Sequence, residues 1–322
     1  MLIVSALEVE ALLPLPAAIE AMRSAMMQVS RREVALPLRH VVPIPGTSGK
    51  LVVMLGYIGT PPLFGVKTVA KYVRQPGSAH GSHVGILQLF DANTGLLLAI
   101  IEGGSLTAIR TAATSALATD ALSRPGASRL AILGTGEQAF RHIVAMSAVR
   151  PITHVSIWGR TPAHAAALAA RIDLPATVAD TVEAAVADAD IVCTTTSATD
   201  PILHGAMVQP GTHINLVGSA IPATSEADIA LVVRSEFYVD YRESAAAEAG
   251  ELRNAITAGA VSLRHIRGEL GELLMGNIPG RSSADAITVY KSLGVIAQDL
   301  AAADIVLRAA RTADMGRDFA LH

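Results

Sequence analysis

The stretch Arg129-Leu-Ala-Ile-Leu-Gly-Thr-Gly-Glu-Gln-Ala139 is a short buried strand running straight into a glycine turn and a helix. Arg129 to Leu133 read as the strand, and the residues from Glu137 onward read as the helix. The GxGxxG/A pattern of Gly134, Thr135, Gly136, Glu137, Gln138 and Ala139 therefore stands in the strand–turn–helix context that a dinucleotide site requires. Gly134 permits the tight turn, Gly136 lets backbone approach a pyrophosphate, and Ala139 allows close helix packing. The helix N-terminus adds amide donors and partial positive charge.

Downstream, apolar strand runs alternate with helical stretches: 155–158 as a strand, 162–171 as an Ala-rich helix, then 190–193 and 213–217 as further buried strands. This alternation predicts a parallel, doubly wound sheet. At the end of the second strand an NAD-selective site wants an acidic residue for the ribose 2′-hydroxyl. The chain has Trp158-Gly159-Arg160-Thr161 instead. Arg160 can pair with a 2′-phosphate and Thr161 can donate a hydroxyl, so NADPH is favoured over NADH; a solvated surface arginine is the competing reading. Thr194-Thr195-Thr196-Ser197 and Val217-Gly218-Ser219 sit at the carboxyl ends of strands, where such sheets place ligands, although the hydroxyls there serve equally well as helix caps. Cys193 reads as a buried strand residue.

Upstream the grammar differs. Residues 51–101 carry short β-type runs, with Asp91-Ala-Asn-Thr-Gly95 as a hairpin loop, and 105–123 read as a helix stopped by Arg124-Pro125-Gly126. The opening MLIVSALEVEALL lacks a basic region and reads as a strand feeding a helix rather than a signal peptide. A long helix, 285–312, closes the chain. The expected organisation is an α+β substrate and dimerisation domain, 1–124 with 298–322, and a Rossmann-type α/β domain, 125–297.

Composition bounds the function. Of 322 residues, 51% are hydrophobic and 16% charged, against a usual charged share of about 25%, which favours surface buried between domains or subunits. A net charge of −3 without Lys/Arg runs argues against nucleic acid and anionic membrane. The longest apolar stretches, such as Leu96 to Ile101, fall far short of the roughly 18 residues of a membrane span. One cysteine excludes an intrachain disulfide and a Cys-based metal cluster. The expectation is a soluble, cytoplasmic protein with no metal.

Three cations interrupt apolar segments of the first domain: Arg39, Lys67 and Arg110. Buried cations need anionic partners. Spacing leaves open whether they converge or pair separately, for instance with Glu102 or Asp120.

The order of motifs resembles the ornithine cyclodeaminase/μ-crystallin family over nearly the whole chain: PLRHVVPI (37–44), GVKTV (65–69), LFDANTGLLLAIIEGGSLTAIRTAATSALA (89–118), LAILGTGEQA (130–139), WGRT (158–161), ADIVCTTTSATDPIL (189–203), PGTHINLVGS (210–219), YVDYRESAAAEAGEL (238–252), GEL (268–270) and TVYKSLGVIAQDLAAA (288–303). The resemblance implies a homodimer whose first domain binds a small imino or amino acid and whose Rossmann domain holds a nicotinamide. It implies Arg39, Lys67 and Arg110 as carboxylate binders, Lys67 also as the catalytic proton donor. It implies Thr111, Gly134 to Ala139, Gly159, Arg160, Thr161, Thr195, Val217 and Ser219 at the cofactor.

Two departures matter. Cyclodeaminases of the family carry a catalytic glutamate where this chain has Val52, and an aspartate where it has Ala220; the family's alanine dehydrogenases keep that aspartate. The resemblance therefore points to the ketimine reductase branch, which reduces Δ1-pyrroline-2-carboxylate or Δ1-piperideine-2-carboxylate to proline or pipecolate. A preformed imine accepts hydride readily, so the protein mainly holds the carboxylate and excludes water. Ornithine cyclodeaminase, alanine or N-alkyl amino acid dehydrogenase, and a non-catalytic NADPH-dependent small-ligand carrier are the alternatives. His83 reads as a proton relay or as a structural histidine, and 57–64 as a segment shaping the substrate pocket.

Overall fold

Alternating apolar and polar residues over 50–102 build a meander of antiparallel strands. The computed structural model describes residues 1–72, 81 and 83–320, which divide into two units: Met1–Arg110 with Val295–His322, and Thr111–Gly294. The first unit runs β1 (Leu2–Val4), α1 (Ala6–Leu12), α2 (Leu15–Arg31), β2 (Val34–Ala35), β3 (His40–Pro43), β4 (Lys50–Ile58), β5 (Leu63–Lys71), β6 (His83–Asp91) and β7 (Leu97–Glu102), and enters α3 (Gly103–Leu122). Its sheet is ordered β1-β7-β6-β5-β4-β2, with β3 also on β4 and Arg317–Asp318 on the outer side of β1.

One face of this sheet is closed by α2 and the C-terminal helix Ile296–Ala313. In β5 the odd residues Leu63, Gly65, Lys67 and Val69 are buried while the even ones are half-exposed, as a period of two demands. Helix α2 turns Ala18, Ala21, Met22, Ala25, Met26 and Val29 inward at i, i+3, i+4 spacing. The Asp91 hairpin forms as expected. Its carboxylate accepts from the amides of Asn93 and Thr94, and Gly95 takes φ 71°.

The second unit is a parallel sheet of β8 (Arg129–Leu133), β9 (His154–Trp158), β10 (Ala176–Val178), β11 (Ile191–Thr194), β12 (His213–Leu216), β13 (Ser235–Val239), β14 (Ile266–Glu269) and β15 (Ile287–Lys291). Its order is β10-β9-β8-β11-β12-β15-β13-β14, with α4 (Glu137–Val149) after β8 and α5 (Pro162–Ala169) after β9. The strand order reverses between neighbours β8 and β11, and loops at such a switch point form a ligand crevice.

Two sequence expectations are corrected here. The helix expected over 285–312 begins only at Ile296. Residues 287–291, Ile-Thr-Val-Tyr-Lys, form β15, fully buried between β12 and β13. Their β-branched and aromatic side chains suit a central strand, and Gly294 at φ 76° separates strand from helix. The units also divide within α3, between Arg110 and Thr111, rather than after residue 124, and the chain returns to the first unit at Val295 rather than at 298.

Candidate active site

In the first unit the cations expected from sequence converge. Lys67, on the buried face of β5, and Arg110, on α3, are 3% and 4% exposed. Both bind one carboxylate, Asp299, in the first turn of the C-terminal helix: Lys67 Nζ lies 2.7 Å from Oδ2 and Arg110 Nε 2.9 Å from Oδ1. Arg110 Nη1 also donates to Gln298 Oε1 at 2.6 Å, so Asp299 and Gln298 together set the plane of the guanidinium. Burial pushes the Asp299 carboxyl up, but Arg110 and Lys67 hold it below its ordinary value overall. Burial pulls Lys67 down to about 8; Asp299 counters this, while Arg110 and Arg39 add to it. Arg39 precedes β3, half-buried, close enough for its charge to act on Lys67. Three cations thus surround one buried carboxylate.

Asp299 escaped the sequence reading, which offered Glu102 and Asp120 as partners. Glu102 instead accepts from the amides of Gly104 and Ser105 at the start of α3, and Asp120 pairs with Arg150. The available signal was an acidic residue inside an apolar helix, in a chain with buried cations to neutralise.

The register defines the rest of this face. Met54 pairs with Lys67, and one pleat further Val52 pairs with Val69 and Val69 with Gly85. The position of the missing glutamate, Val52, thus belongs to an apolar row beside the cations. His83, in GSHV whose Ser82 lies outside the described residues, starts β6 opposite Lys71. Although its ring edge is exposed, surrounding protein together with Lys71 and Lys67 lowers it to about 4. It is neutral near pH 7 and a poor proton relay there. Tyr57 and Phe64 pair with one another on the opposite face of the sheet, so they do not shape the Lys67 side. Residues 59–62 are the β4–β5 turn, pinned by Gln28, which donates to the Thr60 carbonyl and accepts from its amide.

In the second unit the glycine turn follows β8. Gly134 takes φ 132°, and a Cβ there would meet Thr195 Oγ1 at 2.5 Å; its amide donates to the Trp158 carbonyl at 2.8 Å. A Cβ on Gly136 would meet nothing within 4 Å, so open space lies over the turn. Gly136 is the N-cap of α4, and no side chain caps that helix. The Gln138 Oε1 is buried without a hydrogen-bond partner among the described residues. Open space, uncapped helix amides and an unsatisfied acceptor fit a dinucleotide pyrophosphate. The Glu137 side chain pairs with Arg141, which leaves its backbone amide for a ligand. Arg160 is exposed and enters no ion pair among the described residues, and Thr161 is the N-cap of α5 without a side-chain cap bond.

The strand-end hydroxyls serve the protein itself and do not cap helices. Buried Glu226 accepts from Thr194 Oγ1, from the amide and hydroxyl of Thr196, and from the amides of Gly218 and Ser219. The Thr195 hydroxyl donates to the Leu133 carbonyl, and Ser219 Oγ to the Thr224 carbonyl. The amide of Val217 bonds the Thr194 carbonyl. Thr111 lies buried on α3, and Cys193 is buried in β11 with its thiol pushed up to about 12 by burial. Glu226 was not legible in sequence, because its partners come from two loops it follows by 7 to 32 residues.

The model of the ornithine cyclodeaminase/mu-crystallin family matches residues 1–313. The chain belongs to this family. Within it, the chain is 39% identical over 273 residues to the ketimine reductase mu-crystallin of Mus musculus, covering 85% of this chain and 84% of that protein. It is 33% identical over 305 residues to the Δ1-pyrroline-2-carboxylate reductase of Bacillus cereus, covering 93% and 94%. The solved structure of Thermococcus litoralis Δ1-pyrroline-2-carboxylate reductase with NADH and L-proline superposes with a TM-score of 0.95 at 28% identity, covering 99% and 100%. The family fold and the doubly wound sheet expected from sequence are thus both present. No helix among the described residues is long and apolar enough to cross a membrane.

Proposed function

We propose that the chain is an NADPH-dependent reductase of cyclic imino acids, converting Δ1-pyrroline-2-carboxylate or Δ1-piperideine-2-carboxylate to proline or pipecolate. The observation that carries this reading is the cluster of Arg39, Lys67 and Arg110 around the single buried carboxylate of Asp299. Its excess positive charge suits one substrate carboxylate, and a guanidinium of fixed plane orients it. The mammalian and bacterial relatives carrying the ketimine and pyrroline-2-carboxylate reductase names support the same chemistry.

Arg39 and Arg110 hold the carboxylate, and Lys67 Nζ delivers the proton that the ring nitrogen takes up. When bound, the reduced nicotinamide supplies the hydride that turns C=N into CH–N and is itself oxidised. The amides of Gly136 to Gln138 would hold its pyrophosphate. Arg160 and Thr161 would take the 2′-phosphate, which favours NADPH. Val52, facing Val69, and Ala220 leave no carboxylate to deprotonate an ornithine amine, which argues against a cyclodeaminase.

A homodimer completes the reading. Leu55, Val84 and Ile86 are 39%, 42% and 38% exposed on the open face of the first unit's sheet. Beside them Phe64 and Phe90 stack with centroids 4.9 Å apart. Such an apolar face suits a second copy.

The test is the initial rate of nicotinamide oxidation with Δ1-pyrroline-2-carboxylate, NADPH against NADH. Faster oxidation of NADPH, lost in Arg39→Ala, is expected. Firm cofactor binding without oxidation by either imine would overturn the reductase in favour of a small-ligand carrier.

A further inference from the structure

Beyond the apolar row of Val52, Val69 and Gly85, the same sheet face carries a second set of cations. Lys50 pairs directly with Lys71 across β4 and β5, and Lys71 with His83 across β5 and β6. A period of two keeps Lys67, Val69 and Lys71 on one face. In β4 it does the same for Lys50, Val52 and Met54. Like charges directly opposite on neighbouring strands repel, and neither lysine enters an ion pair among the described residues. Lys71 is exposed and Lys50 half-buried, so both are accessible. Burial, Lys50 and Arg39 all lower the Lys71 ammonium from its ordinary value, the signature of positive charge without a counter-anion. Lys67 and Lys71 are four residues apart, about 13 Å along the strand, with only aliphatic and glycine positions between.

We propose that Lys50 and Lys71 form a subsite for a second carboxylate, so that the preferred substrate is a cyclic imino dicarboxylate lying across the Val52–Val69 row. One carboxylate meets Arg39, Lys67 and Arg110; the other meets the lysine pair. This subsite rests on the imine reductase reading and narrows its substrate class.

The experiment measures kcat/KM with NADPH for Δ1-piperideine-2-carboxylate and for Δ1-piperideine-2,6-dicarboxylate, in the parent enzyme, Lys71→Gln and Lys50→Gln. The parent is expected to prefer the dicarboxylate. Each substitution should lower the dicarboxylate-to-monocarboxylate ratio about tenfold, the size of one hydrogen bond to a charged group. The ratio is taken on one preparation and does not depend on the fraction folded. A ratio that falls less than about threefold in both variants, under half that free energy, overturns the subsite. So does a parent that prefers the monocarboxylate. A third arm adds inorganic phosphate to the monocarboxylate reaction: competitive inhibition lost in Lys71→Gln, in a parent without dicarboxylate preference, assigns the lysines to a free anion instead. Oxidation with neither imine overturns the reductase reading itself, a result distinguishable from loss of the subsite alone.

Discussion

Lys67 Nζ and Asp299 Oδ2 lie 2.7 Å apart, although 232 residues separate them in the chain. Asp299 gives its other oxygen to Arg110, so one carboxylate from the C-terminal helix fixes a strand lysine and a helix arginine. Removing it would leave two buried cations without their anion. Asp299→Asn should lower unfolding free energy by about 3–5 kcal/mol, measured by urea denaturation, and should raise KM for the imine as the Arg110 guanidinium loses its orientation.

The pH profile should report Lys67. Its value is lowered from 10.5 to about 8, chiefly by burial, so the ammonium is protonated below that pH and lost above it. A step that needs its proton slows as pH rises, and kcat/KM should show a falling limb near 8. In Lys67→Arg, which stays charged, that limb should disappear and kcat should drop. Because the unfolded lysine still binds a proton between about 8 and 10.5, this group makes the protein more stable as pH rises through that window. His83, at about 4, should add no limb near neutrality.

Arg160→Ala should raise KM for NADPH about tenfold or more while leaving KM for NADH nearly unchanged, since a charge-assisted bond to a 2′-phosphate is lost only with NADPH. Equal effects on both cofactors would remove Arg160 from the phosphate site.

Glu226 holds the loops after β11 and β12 through hydroxyls and amides of Thr194, Thr196, Gly218 and Ser219. Glu226→Gln turns an amide NH2 towards donors that need an acceptor. A stability loss of about 1–3 kcal/mol is expected, together with a higher Kd for the nicotinamide cofactor by calorimetry.

Ile86→Asp should convert the expected dimer to a monomer in sedimentation equilibrium, because it places a charge on the open apolar sheet face. A parent that is monomeric would refute the interface.

Much of the second unit was legible because its signals are local. The strand at 129–133, the helix from Glu137 and the strand ending at Trp158 follow from residues adjacent in sequence, and Gly134 with Gly136 implies a backbone turn that other residues resist. The run 287–291 was misread because its period is ambiguous in isolation; burial between β12 and β13 made it a strand. The Tyr57–Phe64 segment was assigned to the pocket because sequence gives a strand's alternation without saying which face holds the site.

By itself the sequence determined the two kinds of sheet, the glycine turn and the identity of the cations at Arg39, Lys67 and Arg110, since each is a matter of local pattern and residue chemistry. Tertiary structure alone decided which anion neutralises them, that Glu226 gathers two loops, and that Lys50, Lys71 and His83 share a row. Those relations depend on strand register and on a helix returning from the far end of the chain, and register is set by packing between segments that no single stretch of residues contains.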